Sequence, residues 1–519
     1  MTTYFATSSE MSRIDARAIH EYKIPSFELM ERAGKISAEE IWKRYGKNNL
    51  SVTVICGKGN NGGDGYVVAK YLFEHGAKVT VLRIVSSKNI SSDSLKFLKL
   101  ISAMDIVISD IDSDTFNIVQ EKINDGNLVV DAILGSGSKV REGSIENKII
   151  SLLSNCEKDI VSLDVPSGVD ASTGECDKTH FTASLTISLG VLKRAHVLLP
   201  SSKLSQEVIN VDIGIPQGCI EKEDISLKLI DSEEISNILE ERPLDSHKGK
   251  NGNILIIGGS EGMVGAPILS AMGAYRAGAG KVSVCIPEQK LILHQIPPEI
   301  ICNTIETSEK GFFDSNSLDS LLRLAEDVDV IVIGPGISTN PRTYELIQLL
   351  LQYLDLPMVI DADAINCIAQ DLTILENHNK EIIMTPHPGE MGRLIGVSVD
   401  ETQKNRVDVS TSFATEYNLT LVLKGWGTIV TNNSGKSWIN TTGNSGMSVA
   451  GMGDVLTGMI ATFKSQKYTS LDSSIAGVFL HGFSGDLAIE SIGRIGITPS
   501  DLIKFIPTAR EIFHERSEN

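Results

Sequence analysis

The apolar run LSVTVIC (50–56) passes straight into GKGNNGGDG (57–65), then into the helical pattern YVVAKYLFEHG (66–76), and a second apolar run, KVTVLRI (78–84), follows at once. Short β-branched runs bounded by Gly and Asn read as buried strands, and the segment between them repeats at helical spacing. Two strands joined through a helix in this way lie parallel in one sheet. The same unit recurs along the chain, so the expected class is α/β. The Gly-rich turn is not the dinucleotide fingerprint, in which a small-residue helix follows the glycines, and its central Asn-Asn is unusually polar.

Parallel sheets hold ligands beyond the carboxyl ends of their strands. Polar residues gather at such ends in the first half. The turn after 50–56 carries Asn60, Asn61 and Asp64; LVVDAILGSGSKVREG (128–143) delivers Asp131, then Gly135, Gly137 and Arg141; DIVSLDVPSGVD (159–170) delivers Asp164 and Ser167. Together they suit a cation with oxygen ligands, or an acid–base pair over a sugar-like substrate. Singly, each is equally a helix cap or a residue that tolerates left-handed backbone. ASLTISLGVLKRAHVLLP (183–200) adds a strand followed by Lys193 and Arg194, and EVINVDIGIP (207–216) closes the sheet.

A chain of 519 residues is too long for one core. Residues 217–250 are charged and carry no strong strand, which places a boundary between 220 and 230 and gives domains 1–225 and 226–519. The strand-and-turn pattern then restarts with NILIIGGS (253–260). A small-residue helix follows, in which Ala271, Gly273, Ala274, Ala277, Gly278 and Gly280 permit close approach to the sheet or a ligand. DVDVIVIGPGIS (327–338) and LPMVIDADAIN (356–366) end in Gly-Pro-Gly and Asp-Ala-Asp. EIIMTPHPGEMGRLIG (381–396) sets His387 between prolines, as a structural turn residue or a ligand contact. LTLVLKGWGTIVT (419–431) reads as a hairpin or strand crossing with Lys424, Gly425 and Thr428 at its turn.

The stretch NTTGNSGMSVAGMGDVLTG (440–458) puts Gly443, Gly446, Gly451 and Gly453 ahead of Asp454 and a helix with Val455, Leu456, Met459, Ile460 and Phe463 on one stripe. Free amides and the dipole at such a helix start accept an anion. A carboxylate there handles a proton beside a phosphoryl group, or caps its own helix.

The net charge of −19 argues against a nucleic acid or an anionic membrane as partner, but leaves phosphorylated small molecules open. Seven scattered Cys without a CxxC fit a reducing compartment. The first residues lack a secretory core and no apolar run is long enough to span a bilayer, so a cytoplasmic protein is expected. The apolar positions of residues 8–45, broken at Pro25, suggest helices through which subunits pair into a homo-oligomer.

Taken in order, GNNGGDG (59–65), DAILGSG (131–137), DVPSGVD (164–170), GPG (334–336), DADAIN (361–366), TPHPGEMGRL (385–394), LKG (423–425) and GMGDVLTG (451–458) resemble the signatures of the bifunctional NAD(P)H-hydrate repair enzymes over essentially the whole chain. The resemblance implies two three-layer α/β/α domains, the first Rossmann-like and the second ribokinase-like. It implies an N-terminal epimerase of R- and S-NADHX and NADPHX and a C-terminal dehydratase of the S epimer that consumes ADP or ATP, with magnesium on the nucleotide. Asn61, Asp131 and Ser167 match its potassium ligands. Asn60, Asn61, Gly62, Gly63 and Asp64, the loop Gly135, Ser136, Gly137, Ser138, Lys139, Val140 and Arg141, and Asp164 match its epimerase substrate contacts. Ala266, Gly336, His387 and Asp454 match the hydrate contacts of the dehydratase; Lys424, Gly425, Trp426, Gly427, Thr428 and Gly453 match its nucleotide contacts. Asp454 and Asp164 are the expected proton-handling residues. Ser445, Met452 and Met263 depart from the family pattern, Met452 within the anion loop and Met263 beside the hydrate site. The alternatives are a kinase of a small hydroxylated metabolite, which would accumulate a phosphorylated product, and a nucleotide-binding regulator without turnover.

Overall fold

The computed structural model describes residues 2–46, 49–85, 90–137, 140–288, 296–308, 311–376 and 378–514. It divides into two compact units, Met1–Lys228 and Leu229–Asn519.

In the first unit, α1 (Ser8–His20) opens on a capping box: the Glu10 amide donates to Thr7 Oγ1, and the Thr7 amide to Glu10 Oε2. α2 (Ser26–Tyr45) begins after Pro25. Ile14, Ala18, Leu29, Met30, Ala33, Ala38 and Ile41 are buried in the unit's own core, so this stripe is not a free face for subunit pairing. The sheet comprises β1 (Ser51–Cys56), β2 (Lys78–Ile84), β3 (Val107–Ile111), β4 (Leu128–Ala132), β5 (Asp159–Leu163), β6 (Leu185–Leu189) and β7 (Val208–Val211). They pair in parallel in the order β3-β2-β1-β4-β5-β6-β7. The order reverses between β1 and β4, and the crevice at that switch point is where such sheets bind ligands.

The helix after β1 starts earlier than its sequence pattern suggests. α3 spans Asn60–Glu74, so Gly62, Gly63 and Gly65 are helical and not part of a flexible loop. The physical reason is close approach: a Cβ at Gly62 would collide with the Gly57 carbonyl oxygen. Glycine lets the helix start directly against the strand end.

The second unit contains β8 (Asn253–Ile257), β9 (Lys281–Pro287), β10 (Ile301–Ile305), β11 (Val330–Ile333), β12 (Met358–Ile360), β13 (Ile382–Met384), β14 (Thr420–Leu423), β15 (Thr428–Thr431) and β16 (Ser437–Asn440). They lie in the order β16-β15-β14-β13-β12-β11-β8-β9-β10, antiparallel through the hairpins β14–β15–β16 and parallel elsewhere. From β10 to β14 the order of the first sheet is repeated, although the two halves share no motif. A second switch point thus lies between β8 and β11.

The main helices of this unit are α4 (Gly265–Ala277), α5 (Pro388–Ile395), α6 (Met452–Ser465), α7 (Ser470–Ile492) and α8 (Pro499–His514). The small residues of α4 let it pack on the sheet and also admit α6. A Cβ at Gly458 would strike the Ser270 carbonyl, one at Gly273 would stand 2.6 Å from Val455 O, and Thr462 Oγ1 donates to Ala274 O at 3.0 Å. This packing fixes the helix that carries Asp454. Among the described residues no helix is long and apolar enough to cross a membrane, and all seven cysteines are free.

Candidate active sites

At the first switch point, α3 presents Asn61 and the loop after β4 presents Gly135. A Cβ on Gly135 would stand 3.2 Å from Asn61 Cβ and 3.6 Å from Asp164 Oδ2, so these residues line one crevice. The Ser136 amide donates to Asp164 Oδ2 at 3.2 Å. Asp164 sits at the end of β5 in left-handed backbone, φ 68°, an uncommon conformation for a non-glycine residue and one found at sites under functional constraint. Its other oxygen is ion-paired with the buried Lys193. His196 Nε2 donates to the Asp164 carbonyl at 2.9 Å, while Nδ1 accepts from the Lys193 amide at 3.0 Å. Burial, then the neighbouring Lys193, lowers the imidazole to about 4, so His196 is neutral near neutral pH. Burial opposes ionisation of Asp164, but Lys193 outweighs it and holds the carboxyl below its usual range. Asp64, buried nearby, is pushed well up by burial and then by Asp164, with Lys193 opposing.

Behind this crevice Asp131 is fully buried. Its oxygens accept from Ser167 Oγ (2.6 Å), Ser162 Oγ (2.9 Å) and the amides of Ser167 (2.9 Å) and Ile133 (3.2 Å). Among the described residues no cation pairs with it. The amide nitrogen and oxygen of Asn61 are both buried without partners. A buried carboxylate lacking a counter-charge and an orphaned amide oxygen fit a small cation with oxygen ligands. No group of three or more His, Cys, Asp or Glu side chains among the described residues is arranged for a metal ion.

Asn60 is exposed at the start of α3, and Gly63 is buried within it. Gly137 and Arg141 are exposed, and Val140 packs onto the apolar cluster around Ile118 and Ile149. Ser138 and Lys139 lie outside the described residues.

In the second unit, the strand ends gather around one ammonium group. Lys424 Nζ, on the turn after β14, lies 2.7 Å from Asp361 Oδ1 after β12 and 3.9 Å from Glu390 Oε2 on α5. Thr457 Oγ1 (2.7 Å) and Thr385 Oγ1 (2.8 Å) complete the shell of Asp361. Thr457 also donates to Gly453 O at 3.1 Å, tying α6 to this cluster. A Cβ on Gly453 would stand 3.4 Å from Lys424 Nζ.

Asp454 is the third residue of α6, whose N-cap is Gly451 in left-handed backbone with no side-chain capping bond. It therefore does not serve as the cap. Burial, then Asp361, raises its carboxyl to about 7, with Lys424 opposing. Glu390 is raised to about 7, mainly by burial. His387 does cap its helix: Nδ1 accepts from the amides of Gly389 (2.9 Å) and Glu390 (3.3 Å), which leaves the proton on Nε2, 3.4 Å from Glu390 Oε1. The turn role is realised, and half the ring remains exposed beside the charged cluster.

Gly336 in left-handed backbone would place a Cβ 3.1 Å from Met263 Cβ and 3.4 Å from Ala266 Cβ, so these three line one wall. Met263 is exposed there. Met452 does not crowd an anion: its side chain is buried in the apolar core, because the helix start turns it inward beneath the loop. Gly425 and Trp426 are exposed, Gly427 is buried, and Thr428 Oγ1 closes the turn onto Gly425 O at 2.9 Å. Asp361, Glu390 and Thr457 were not named from the sequence as site residues. The signal was present in Asp-Ala-Asp at a strand end and in Glu390 three residues after a capping His387.

Two crevices of this kind, one acidic and oxygen-rich, one with a buried acid at an anion-accepting helix start, define a two-site α/β enzyme. Residues 26–195 match the family described as YjeF-related protein N-terminus, and residues 254–508 match NAD(P)H-hydrate dehydratase. The chain is 34% identical over 522 residues to the bifunctional NAD(P)H-hydrate repair enzyme Nnr of Moorella thermoacetica, covering 99% of this chain and 98% of the relative. The corresponding enzyme of Escherichia coli is 30% identical, covering 100% and 96%. A solved ADP/ATP-dependent NAD(P)H-hydrate dehydratase from Bacillus subtilis, co-crystallised with ATP and magnesium, is 28% identical with a TM-score of 0.47, covering 55% of this chain and 98% of that one. The chain belongs to the family of bifunctional NAD(P)H-hydrate repair enzymes. It is an enzyme with an isomerase and a lyase half.

Proposed function

We propose that the first unit interconverts the R and S hydrates of NADH and NADPH, and that the second dehydrates the S epimer at the expense of ADP or ATP. The observation that carries the reading is Asp454, a buried acid raised to about 7 at the start of an anion-accepting helix, within a chain related along its full length to repair enzymes. Hydroxide is a poor leaving group. Transfer of the terminal phosphoryl to the hydrate hydroxyl turns it into phosphate. The ring nitrogen lone pair then expels that phosphate, and loss of a proton from the adjacent carbon restores the ring double bond. Asp454 removes the hydroxyl proton as the phosphoryl arrives, and amides of the Gly-rich loop and the Lys424 ammonium face the developing charge. Glu390 and Asp454 are the carboxylates that a nucleotide-bound magnesium would meet, and it would neutralise phosphate charge there.

In the first unit the same lone pair releases water from the hydrated carbon, and water returns to either face. Asp164, kept ionised by Lys193, handles the proton. Asn61, Asp131 and Ser167 would hold potassium, supplying the counter-charge that Asp131 lacks. Free cysteines and nicotinamide substrates accord with a cytoplasmic location.

The test uses hydrated NADH as mixed epimers with magnesium, potassium and either nucleotide, following the absorbance of the reduced nicotinamide. Nucleotide-dependent recovery of nearly all the material is expected. Recovery that stops at the S fraction removes the epimerase assignment. A stable phosphorylated product without recovery replaces the dehydratase by a kinase.

A further inference from the structure

Arg406 stands behind the hairpin turn that follows β14, and nothing in the reaction above uses it. The residue is 6% exposed. One terminal nitrogen donates to three backbone carbonyls, Leu423 O at 3.1 Å, Lys424 O at 3.3 Å and Gly427 O at 3.2 Å, and the other donates to Gln403 Oε1. Its Nε is buried without a partner. Among the described residues no carboxylate pairs with this cation. A buried charge without a counter-ion is costly, and fixing one turn by backbone alone does not require it.

The peptide plane supplies the reason. Each N–H points opposite to the C=O of the same peptide. A carbonyl drawn inward to Arg406 therefore sends the following amide outward. After Leu423 that amide is Lys424's, which donates to Pro386 O at 2.9 Å and so docks the turn onto the loop preceding α5. After Lys424 it is Gly425's. The amides of Gly425, Trp426 and Gly427 donate to no acceptor among the described residues. Gly425 and Gly427 both have left-handed backbone, at φ 133° and 63°. Consecutive unpaired amides in such a turn form an anion-binding concavity, and a cation behind it strengthens the potential.

We propose that Arg406 is the positioning residue of the nucleotide site: it turns the Gly425 amide outward and, by holding the Lys424 and Gly427 carbonyls, fixes both ends of the 425–427 turn, so that its unpaired amides meet a nucleotide polyphosphate, whose charge completes its own. This rests on the reading that the second unit uses an adenine nucleotide. Arg406 touches neither substrate nor reacting atoms.

The experiment compares full-length wild type, Arg406→Met and Arg406→Lys. Affinity for Mg·ADP is read by titration calorimetry, and the steady-state constants by dehydration of the S hydrate. Arg406→Met weakens Mg·ADP binding and raises the nucleotide KM by roughly ten- to a hundredfold, the scale of a misplaced binding group, with kcat at saturating nucleotide and hydrate KM within about twofold. Arg406→Lys, which keeps the charge and three donors, recovers most of the loss. Unchanged nucleotide affinity in Arg406→Met overturns the proposal. So does a parallel fall in every constant that Lys fails to rescue, since that marks a purely structural residue. Wild type that binds no nucleotide removes both this inference and the dehydratase reading, whereas binding without dehydration removes the latter alone.

Discussion

Lys424 Nζ lies 2.7 Å from Asp361 Oδ1 and 3.9 Å from Glu390 Oε2, so one ammonium group is shared by two buried carboxylates, one after β12 and one on α5. Removing it strands Asp361, which is 1% exposed. Lys424→Met is expected to destabilise the second unit by about 3–5 kcal/mol, the usual cost of leaving a buried charge unpaired. It should also abolish most dehydration. Chemical denaturation followed by a probe in that unit checks the first; a midpoint unchanged from wild type would mean Asp361 finds another partner.

The pH dependence of dehydration follows from Asp454. Burial, then Asp361, sets its carboxyl at about 7, and the ionised form is the base, so the rate rises as pH passes upward through about 7. Asp454→Asn should lower kcat by about 10²–10⁴ and erase that limb, while Mg·ADP still binds. The stability effect has the opposite sense. The folded value lies above the ordinary 3.8, so the folded state holds this proton more tightly, and Asp454's contribution is lost as pH rises from about 4 to about 7. A rate that falls with rising pH across this window would contradict the assignment.

In the first unit Lys193 keeps Asp164 ionised. Lys193→Met removes that influence and leaves burial to act alone, so the Asp164 carboxyl should titrate upward. Epimerisation then falls at neutral pH and partly recovers at higher pH, while dehydration of pure S hydrate is unchanged. Interconversion of the purified epimers, followed by chromatography over a pH series, measures it. A uniform loss at every pH would assign Lys193 a direct role instead.

Gly458→Ala probes the contact that positions α6. Its Cβ would meet the Ser270 carbonyl, a backbone atom that cannot rotate away. Overpacking of this kind costs typically about 1–3 kcal/mol, and separating α4 from α6 also shifts Asp454. Lower thermal stability of the second unit with a reduced kcat is expected. An equally active and stable variant would show that the two helices part without moving the site.

Much of this protein was set by local pattern. β-branched runs ending at Gly, Asn or Asp are compatible with little except parallel strands delivering polar residues to one edge, and the Rossmann-like first sheet and the sheet of the second unit both have that form. The sequence motifs likewise marked Asn61, Asp131 and Asp164 at strand ends and Asp454 at a helix start, because such ends are legible one at a time.

What local pattern did not decide was who meets whom. Gly62 and Gly65 looked like a loop, yet they lie inside α3, because their role is defined by backbone brought up from Gly57 and by Ala132 on the neighbouring strand. The small residues of α4 looked suited to a sheet or a ligand, and only the tertiary structure sets them against α6. Met452 is adjacent to Gly453 in sequence but faces the core. The sharing of Lys424 between Asp361 and Glu390, and the hold of Arg406 on three carbonyls, join residues distant in the chain. Periodicity reports which face a residue takes within its own element. Charge pairing and close approach depend on distances between elements, and those exist only once the sheet order brings the strand ends together.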